Sequence, residues 1–255
     1  MYGIENELYK QLCKLRDEYG LSGIKAEFEA EGSSFRDLLR LRRVTAMAGV
    51  KLFLKIGGVE AIRDIKDALE INVDGLIAPM VESEFGAKKF IDGYKKVYKN
   101  YKIKLTLNIE TKNAIDQIDA ILNFAVGSIE NITIGRSDLS GSYLNKEITP
   151  ESDFIYDILE EVGQKVNDKG MTFTIGGSVS SRTVNKMSTN DILPTLITSL
   201  ETRKVIFPTN IMLYKNNAIR EALKFEELYI LSKKEFSDMH IESEIARLTE
   251  LKRRM

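Results

Sequence analysis

The chain has 255 residues, 43% hydrophobic and 29% charged, with Lys+Arg 37 against Asp+Glu 38 for a formal net charge of -1. That length buries one large core, and the balanced charge excludes a global field that recruits nucleic acid or an anionic membrane. One cysteine, Cys13, excludes an internal disulfide framework or thiolate zinc site, and one histidine, His240, excludes a multi-histidine metal centre. Any chemistry must therefore run on carboxylates, lysines, hydroxyls, backbone groups and a hard metal ion.

In chain order, residues 1–22 open with MYGIENELYK, which is too acidic for a signal peptide, and continue into a helix over 8–19. No run approaches the ~18 apolar residues of a membrane span, so a cytoplasmic location and no membrane partner are expected. Candidate strands follow at 23–29 (GIKAEFE), 50–56 (VKLFLKI), 75–81 (GLIAPMV), 103–110 (IKLTLNIE), 131–135 (NITIG), 171–176 (MTFTIG) and 204–208 (KVIFP). Between them, helical periodicity places Phe35, Leu38, Leu41 and Val44 on one segment, Ile62, Ile65 and Leu69 on the next, and Ile115, Ile118, Ile121 and Leu122 on another. RLRR at 40–43 reads as a solvated helix face, and no nucleic-acid partner is expected.

Strands alternating with helices at this spacing predict a parallel sheet, and seven of them predict an α/β fold of the TIM-type (β/α)8 barrel. The eighth strand is expected to be weak, with an irregular or missing first strand whose place is taken by the N-terminal helix. The whole chain, 1–255, reads as one domain: an N-terminal helix in 1–22, a barrel over 23–214 and a helical segment over 215–255. Apolar stripes on 217–232 and 241–251 suit either docking on the barrel or contact with another subunit.

Strands covered on both faces should be continuously apolar, and several here are not. Lys25, Glu27 and Glu29 alternate with Ala26 and Phe28, while Thr106, Asn108 and Glu110 alternate with Leu105, Leu107 and Ile109. The apolar set must meet the surrounding helices, which turns the polar set inward. Lys25 with Glu27 suits an internal ion network or a functional role. Glu29, Lys55 and Glu110 fall at C-terminal strand ends, where barrel active sites form, and Asp138 follows NITIG by three residues. Glu110 and Asp138, 28 residues apart on consecutive strand ends, form an oxygen-donor pair for Mg²⁺ or Mn²⁺, with water and a chelating substrate completing the octahedron. IGG occurs at 56–58 and 175–177, and suits either an anion-binding turn, with Ser178, Ser180 and Ser181, or a tight βα connection.

The segment 107–140, LNIETKNAIDQIDAILNFAVGSIENITIGRSDLS, resembles the metal-binding stretch of the HpcH/HpaI aldolase and citrate lyase family, with its IET and G-x-x-DLS motifs. IAPMVESEFGAKKF at 77–90 resembles the segment on its preceding strand, and the similarity runs from about Gly23 to Thr209. The resemblance implies a metal-dependent carbon–carbon lyase or aldolase acting on a small pyruvate-like 2-keto acid or acyl-type substrate through an enolate, in a homo-oligomer. Glu110 and Asp138 match the metal ligands, and backbone groups of Gly135, Arg136 and Ser137 fall where the keto-acid carboxylate binds. The chain departs from the pattern twice. Lys55 replaces an arginine that grips the substrate oxygens, which supplies charge without the planar fork. In KAEFEAEG, Phe28 stands where the family's catalytic histidine would be, leaving Glu27, Glu29 or Lys55 to move protons. These departures support an alternative: a divergent barrel that retains the fold, and with it the metal site or not, as a ligand-binding or assembly protein or as a catalyst of another reaction.

Overall fold

In a computed structural model, residues 3–215 and 217–255 are described, and they form an eight-stranded closed barrel wrapped by helices. The elements run α1 (Gly3–Tyr19), β1 (Gly23–Glu27), α2 (Phe35–Met47), β2 (Leu52–Lys55), α3 (Ile62–Ile71), β3 (Gly75–Ala78), α4 (Glu84–Tyr98) and β4 (Lys104–Ile109). Next come α5 (Lys112–Asp116), α6 (Ile118–Ala125), β5 (Asn131–Gly135), α7 (Arg136–Ser142), α8 (Asp153–Asp168) and β6 (Thr172–Gly176). The chain finishes with α9 (Ser181–Ser188), α10 (Leu193–Leu196), β7 (Ser199–Glu201), β8 (Val205–Pro208), α11 (Thr209–Tyr214) and α12 (Ala218–Arg254). No described helix is long and apolar enough to cross a membrane.

Neighbouring strands β1 to β7 are parallel in order around the barrel, whereas β8 runs antiparallel to both β7 and β1. Among the described residues no strand precedes β1, and α1 leads directly into it, as expected. One expectation is corrected: the segment at 204–208 is not a seventh parallel strand but the last, reversed one. The strand that escaped detection is β7, whose three residues are too few to show alternation.

The two faces of the barrel divide as the sequence alternation requires. Ile24, Ala26, Leu52, Leu54, Leu76, Leu107, Ile132, Ile134 and Ile175 are buried under the helices. Their alternates form a polar interior of Lys25, Glu27, Lys55, Thr106, Asn108, Thr133, Thr174 and Glu201, all buried. Where β5 and β6 begin, Asn131 Oδ1 accepts hydrogen bonds from Thr172 (2.8 Å) and Thr174 (3.0 Å), while its amide donates to Thr133 Oγ1 (3.0 Å). The Phe53 ring also lies near the strand starts, packed where Gly23 and Gly75 carry no side chain. An apolar plug and a satisfied hydroxyl layer thus underlie a charged upper layer. That upper layer is the site.

Helix starts fix the strand ends. Ser34 and Asp37 form a capping box on α2, Ser83 caps α4, and Thr111 caps α5 by accepting from Ala114 N. Thr111 also donates to Glu82 Oε1 at 2.7 Å, which ties the loop after β4 to the loop after β3. The residue held between that cap and strand β4 is Glu110.

Candidate active site

The C-terminal strand ends surround a cavity of about 460 Å³ lined by Lys25, Glu27, Asn108, Glu110, Gly135, Ser137, Asp138, Gly177, Ser178, Glu201 and Arg203, with Leu223 and Glu226 reaching in from α12. Glu110 is 3% exposed, yet three donors hold it. Oε1 accepts from Lys55 Nζ (3.3 Å) and Asn108 Nδ2 (3.1 Å), and Oε2 accepts from Met80 N (3.1 Å). Met80 reaches that position with a φ of +52°, a left-handed conformation that costs a side-chain-bearing residue about 1 kcal/mol. Gly135 is required beside it, because a Cβ there would lie 2.5 Å from Glu110 Oε1.

Asp138 lies in the first turn of α7 and is exposed to the cavity. Partial burial raises its carboxyl above the ordinary aspartate range, and the negative charge of Glu110 raises it further. Two carboxylates that repel each other into one opening are a donor set that a cation stabilises. Asn108 adds a third oxygen: its Oδ1 is buried without a hydrogen-bond partner beside Glu110. Among the described residues no three His, Cys, Asp or Glu side chains converge as a ready-made metal cage. Two carboxylates with open positions fit Mg²⁺ or Mn²⁺, which retain water or substrate oxygens, better than a closed structural site.

Lys55 lies between two carboxylates, 2.7 Å from Glu29 Oε2 and 3.3 Å from Glu110 Oε1. Burial opposes its charge, but Glu110 and Glu29 outweigh that and hold the ammonium well above the usual lysine range. It is a fixed positive charge rather than a proton carrier. Glu29 faces Lys55 and does not line the cavity, so of the two candidate proton carriers on the first strand and loop, Glu27 is the one at the opening.

Arg136 lies elsewhere than its neighbours. Its guanidinium is fully buried and donates to Gly176 O (3.2 Å), Gly177 O (2.9 Å), Pro150 O (3.2 Å), Glu151 (3.1 Å), Tyr156 (3.3 Å) and Thr183 (3.1 Å). Only its backbone is left for a ligand. Ser137 does reach the cavity, with its Oγ 2.8 Å from Ser178 Oγ. Gly177, at φ +75°, lies so close that a Cβ would stand 2.5 Å from Ser137 N and 2.7 Å from Arg136 N.

Three cavity residues, Glu201, Arg203 and Glu226, went unrecognised in the sequence. Lys25 Nζ pairs with Glu201 at 2.6 Å and Glu27 at 3.5 Å, and these two carboxylates outweigh burial in raising the Lys25 pKa. Arg203, at the turn between β7 and β8, stands 4.0 Å from Glu27 and 3.8 Å from Glu226. Asn108 was marked by its inward alternation alone. Glu201, Arg203 and Glu226 carried no periodic or motif signal, because the three-residue strand and the hairpin that deliver the first two leave none.

Fold and site together define an α/β barrel with a carboxylate-lined mouth at the C-terminal strand ends. The HpcH/HpaI aldolase/citrate lyase profile matches residues 36–180. The chain belongs to that family. No curated protein matches it in sequence. Similar solved folds include an HpcH/HpaI aldolase from Desulfitobacterium hafniense DCB-2 (TM-score 0.61, 19% identity, 76% of this chain and 82% of that one). A HpcH/HpaI aldolase/citrate lyase family protein from Burkholderia cenocepacia J2315 superposes with a TM-score of 0.60 at 14% identity, over 85% and 89% of the two chains. The citrate synthase SbnG gives 0.59 at 16% identity, over 90% of each. At such identities these likenesses concern the fold.

Proposed function

We propose that the protein is a cytoplasmic, divalent-metal-dependent carbon–carbon lyase or aldolase that acts on a pyruvate-like 2-keto acid or acyl-type substrate. The observation that carries this reading is the pair Glu110 and Asp138 at consecutive strand ends, with the unpartnered Asn108 oxygen beside them. Glu110 and Asp138 would hold Mg²⁺ or Mn²⁺. When bound, that ion supplies Lewis-acid stabilisation of the enolate. Lys55 keeps Glu110 oriented and adds positive charge beneath the substrate oxygens, while the backbone at Gly135, Arg136 and Ser137 receives the substrate carboxylate. Glu27 takes the proton from the carbon next to the keto group: the C–H bond breaks, its electron pair becomes the C=C bond of the enolate, and the proton stays on the Glu27 carboxylate until it is returned. Arg203 and Lys25 place positive charge beside the Glu27 carboxylate, at 4.0 Å and 3.5 Å.

Proton exchange at pyruvate C3 in D₂O, followed by NMR with Mg²⁺ or Mn²⁺, tests the reading. Exchange that disappears in Glu110→Gln supports it. Absence of exchange for every keto acid tried, with calorimetry showing bound metal, overturns it in favour of a second reading. That second reading, a barrel retained for ligand binding or assembly, is favoured by Phe28 at the histidine position and by a family match that begins only at residue 36, after β1.

A further inference from the structure

The end of the barrel away from the mouth carries a second cavity, of about 440 Å³, between the C-terminus of α4, the start of β4 and the turn before β5. Ile91, Tyr94, Ile103 and Leu105 give it an apolar floor. Tyr94 is fixed there, since its hydroxyl donates to Tyr101 O (2.8 Å) and accepts from Ile103 N (3.4 Å). The ring of Tyr98 lies 5.1 Å from that of Tyr94, and its hydroxyl is buried without a hydrogen-bond partner. Tyr101 also lines the cavity, yet it is 72% exposed. An aromatic ring left open beside an apolar floor is a surface for a second flat group.

The rim is basic. Lys95, Lys99 and Lys102 line it against one acid, Glu130, whose Oε2 is already engaged by Leu105 N at 2.7 Å. Lys104 and Lys51 add charge nearby: burial lowers the Lys104 pKa, Glu130 opposes that, and the charge of Lys51 lowers it further. Lysines in the first half of α4 find acids, Lys88 with Asp92 and Lys89 with Glu60. Among the described residues Lys95, Lys96, Lys99, Lys102 and Lys104 form no ion pair. The dipole of α4 accounts for Lys95 and Lys96 in its last turn. It does not account for the lysines beyond the helix. Lys99 moreover holds a φ of +52° at the C-cap, where glycine is the favoured residue. A lysine stands there against the preference of the backbone.

We propose that this cavity binds a nucleoside polyphosphate, an anion that joins a flat aromatic ring to a chain of phosphates. The ring lies on Tyr101 over the apolar floor, and the phosphates meet Lys95, Lys99 and Lys102. The volume is that of a small-molecule site, roughly 300–1,000 Å³, which favours a single nucleotide over a nucleic-acid strand. None of these residues takes part in the chemistry at the mouth, so the site stands independently of the metal-lyase reading.

Calorimetry with ATP on the full chain tests this, in EDTA so that no metal complex forms between Glu110 and Asp138. Saturable binding is expected, weakening as salt is raised. Lys95→Gln with Lys99→Gly and Lys102→Gln should weaken it at least about 30-fold. Lys99→Gly alone should weaken binding about threefold while raising the thermal transition, opposite signs that a purely structural lysine would not give. Tyr101→Ala should cost about tenfold with ATP and leave the affinity for inorganic tripolyphosphate within about twofold. Three results each overturn the proposal: no saturable binding of ATP below about 1 mM, an affinity unchanged in the triple variant, or tripolyphosphate bound as tightly as ATP. A single-stranded oligonucleotide bound more tightly than ATP also overturns it, in favour of a nucleic-acid surface.

Discussion

The Lys55 ammonium stands 3.3 Å from Glu110 Oε1 at the floor of the cavity, and both groups are more than nine-tenths buried. Removing one partner of such a pair strands the other charge, at a cost of about 3 kcal/mol. Lys55→Met is therefore expected to lower urea-unfolding stability by that amount without divalent cation. Under the metal-lyase reading, added Mg²⁺ restores part of the loss, because a cation then neutralises Glu110. Unfolding with and without Mg²⁺ measures both effects.

Two glycines at equivalent strand ends make separable predictions. A Cβ at Gly135 would lie 2.5 Å from Glu110 Oε1, and one at Gly176 would lie 2.8 Å from Glu201 Oε1. Gly135→Ala should displace a proposed metal ligand and weaken Mn²⁺ binding by at least about tenfold in calorimetry. Gly176→Ala should instead loosen the Lys25–Glu201 pair, reducing stability while Mn²⁺ affinity stays within about threefold of wild type.

Glu27 and Glu29 lie two residues apart on opposite sides of the question of proton transfer. Glu27 lines the cavity, and Glu29 is paired with Lys55. Glu27→Gln should cut keto-acid proton exchange by about 10²-fold or more with Mn²⁺ affinity preserved. Exchange that survives in Glu27→Gln but is lost in Glu29→Gln would reassign the role.

Stability at acidic pH should report on the Arg136 cluster. Burial pushes the Glu151 carboxyl up, but hydrogen bonds from Thr183 and Tyr156 and the charge of Arg136 pull it below the usual glutamate range. A carboxyl depressed in the folded state contributes stability above its unfolded pKa, roughly pH 4–5, and loses it as pH falls through the lower folded value. Partial solvent access at Glu151 limits this to about 1–2 kcal/mol. The wild type should exceed Glu151→Gln by that margin at pH 7, and the gap should narrow as pH falls below the ordinary glutamate range in urea titrations.

Much of this architecture was legible in alternation. Lys25 and Glu27 in β1, and Thr106, Asn108 and Glu110 on and after β4, announced a polar interior because apolar alternates must meet helices. The IET and DLS motifs located Glu110 and Asp138 for a similar reason, since each sits where a strand ends and a helix cap begins. What stayed hidden depends on direction rather than pattern. Arg136 and Ser137 are adjacent, yet one turns under the α7–α9 loops and the other into the cavity, a choice made by Glu151, Tyr156 and Thr183 far along the chain. Strand polarity is equally silent: KVIFP pairs as well in either direction, and only the short turn after Glu201 forces it to reverse.

That reversal limits how the protein can change. A final parallel strand would end at the mouth and add a loop there, free to lengthen and diversify. Here that quarter of the rim is a hairpin turn, and any insertion into it shifts the β7–β8 register and with it the pairing of β8 to β1. New specificity from this side must arise one side chain at a time, at Arg203 or on the facing turn of α12, whereas the six other strand ends at the mouth remain open to whole-loop replacement.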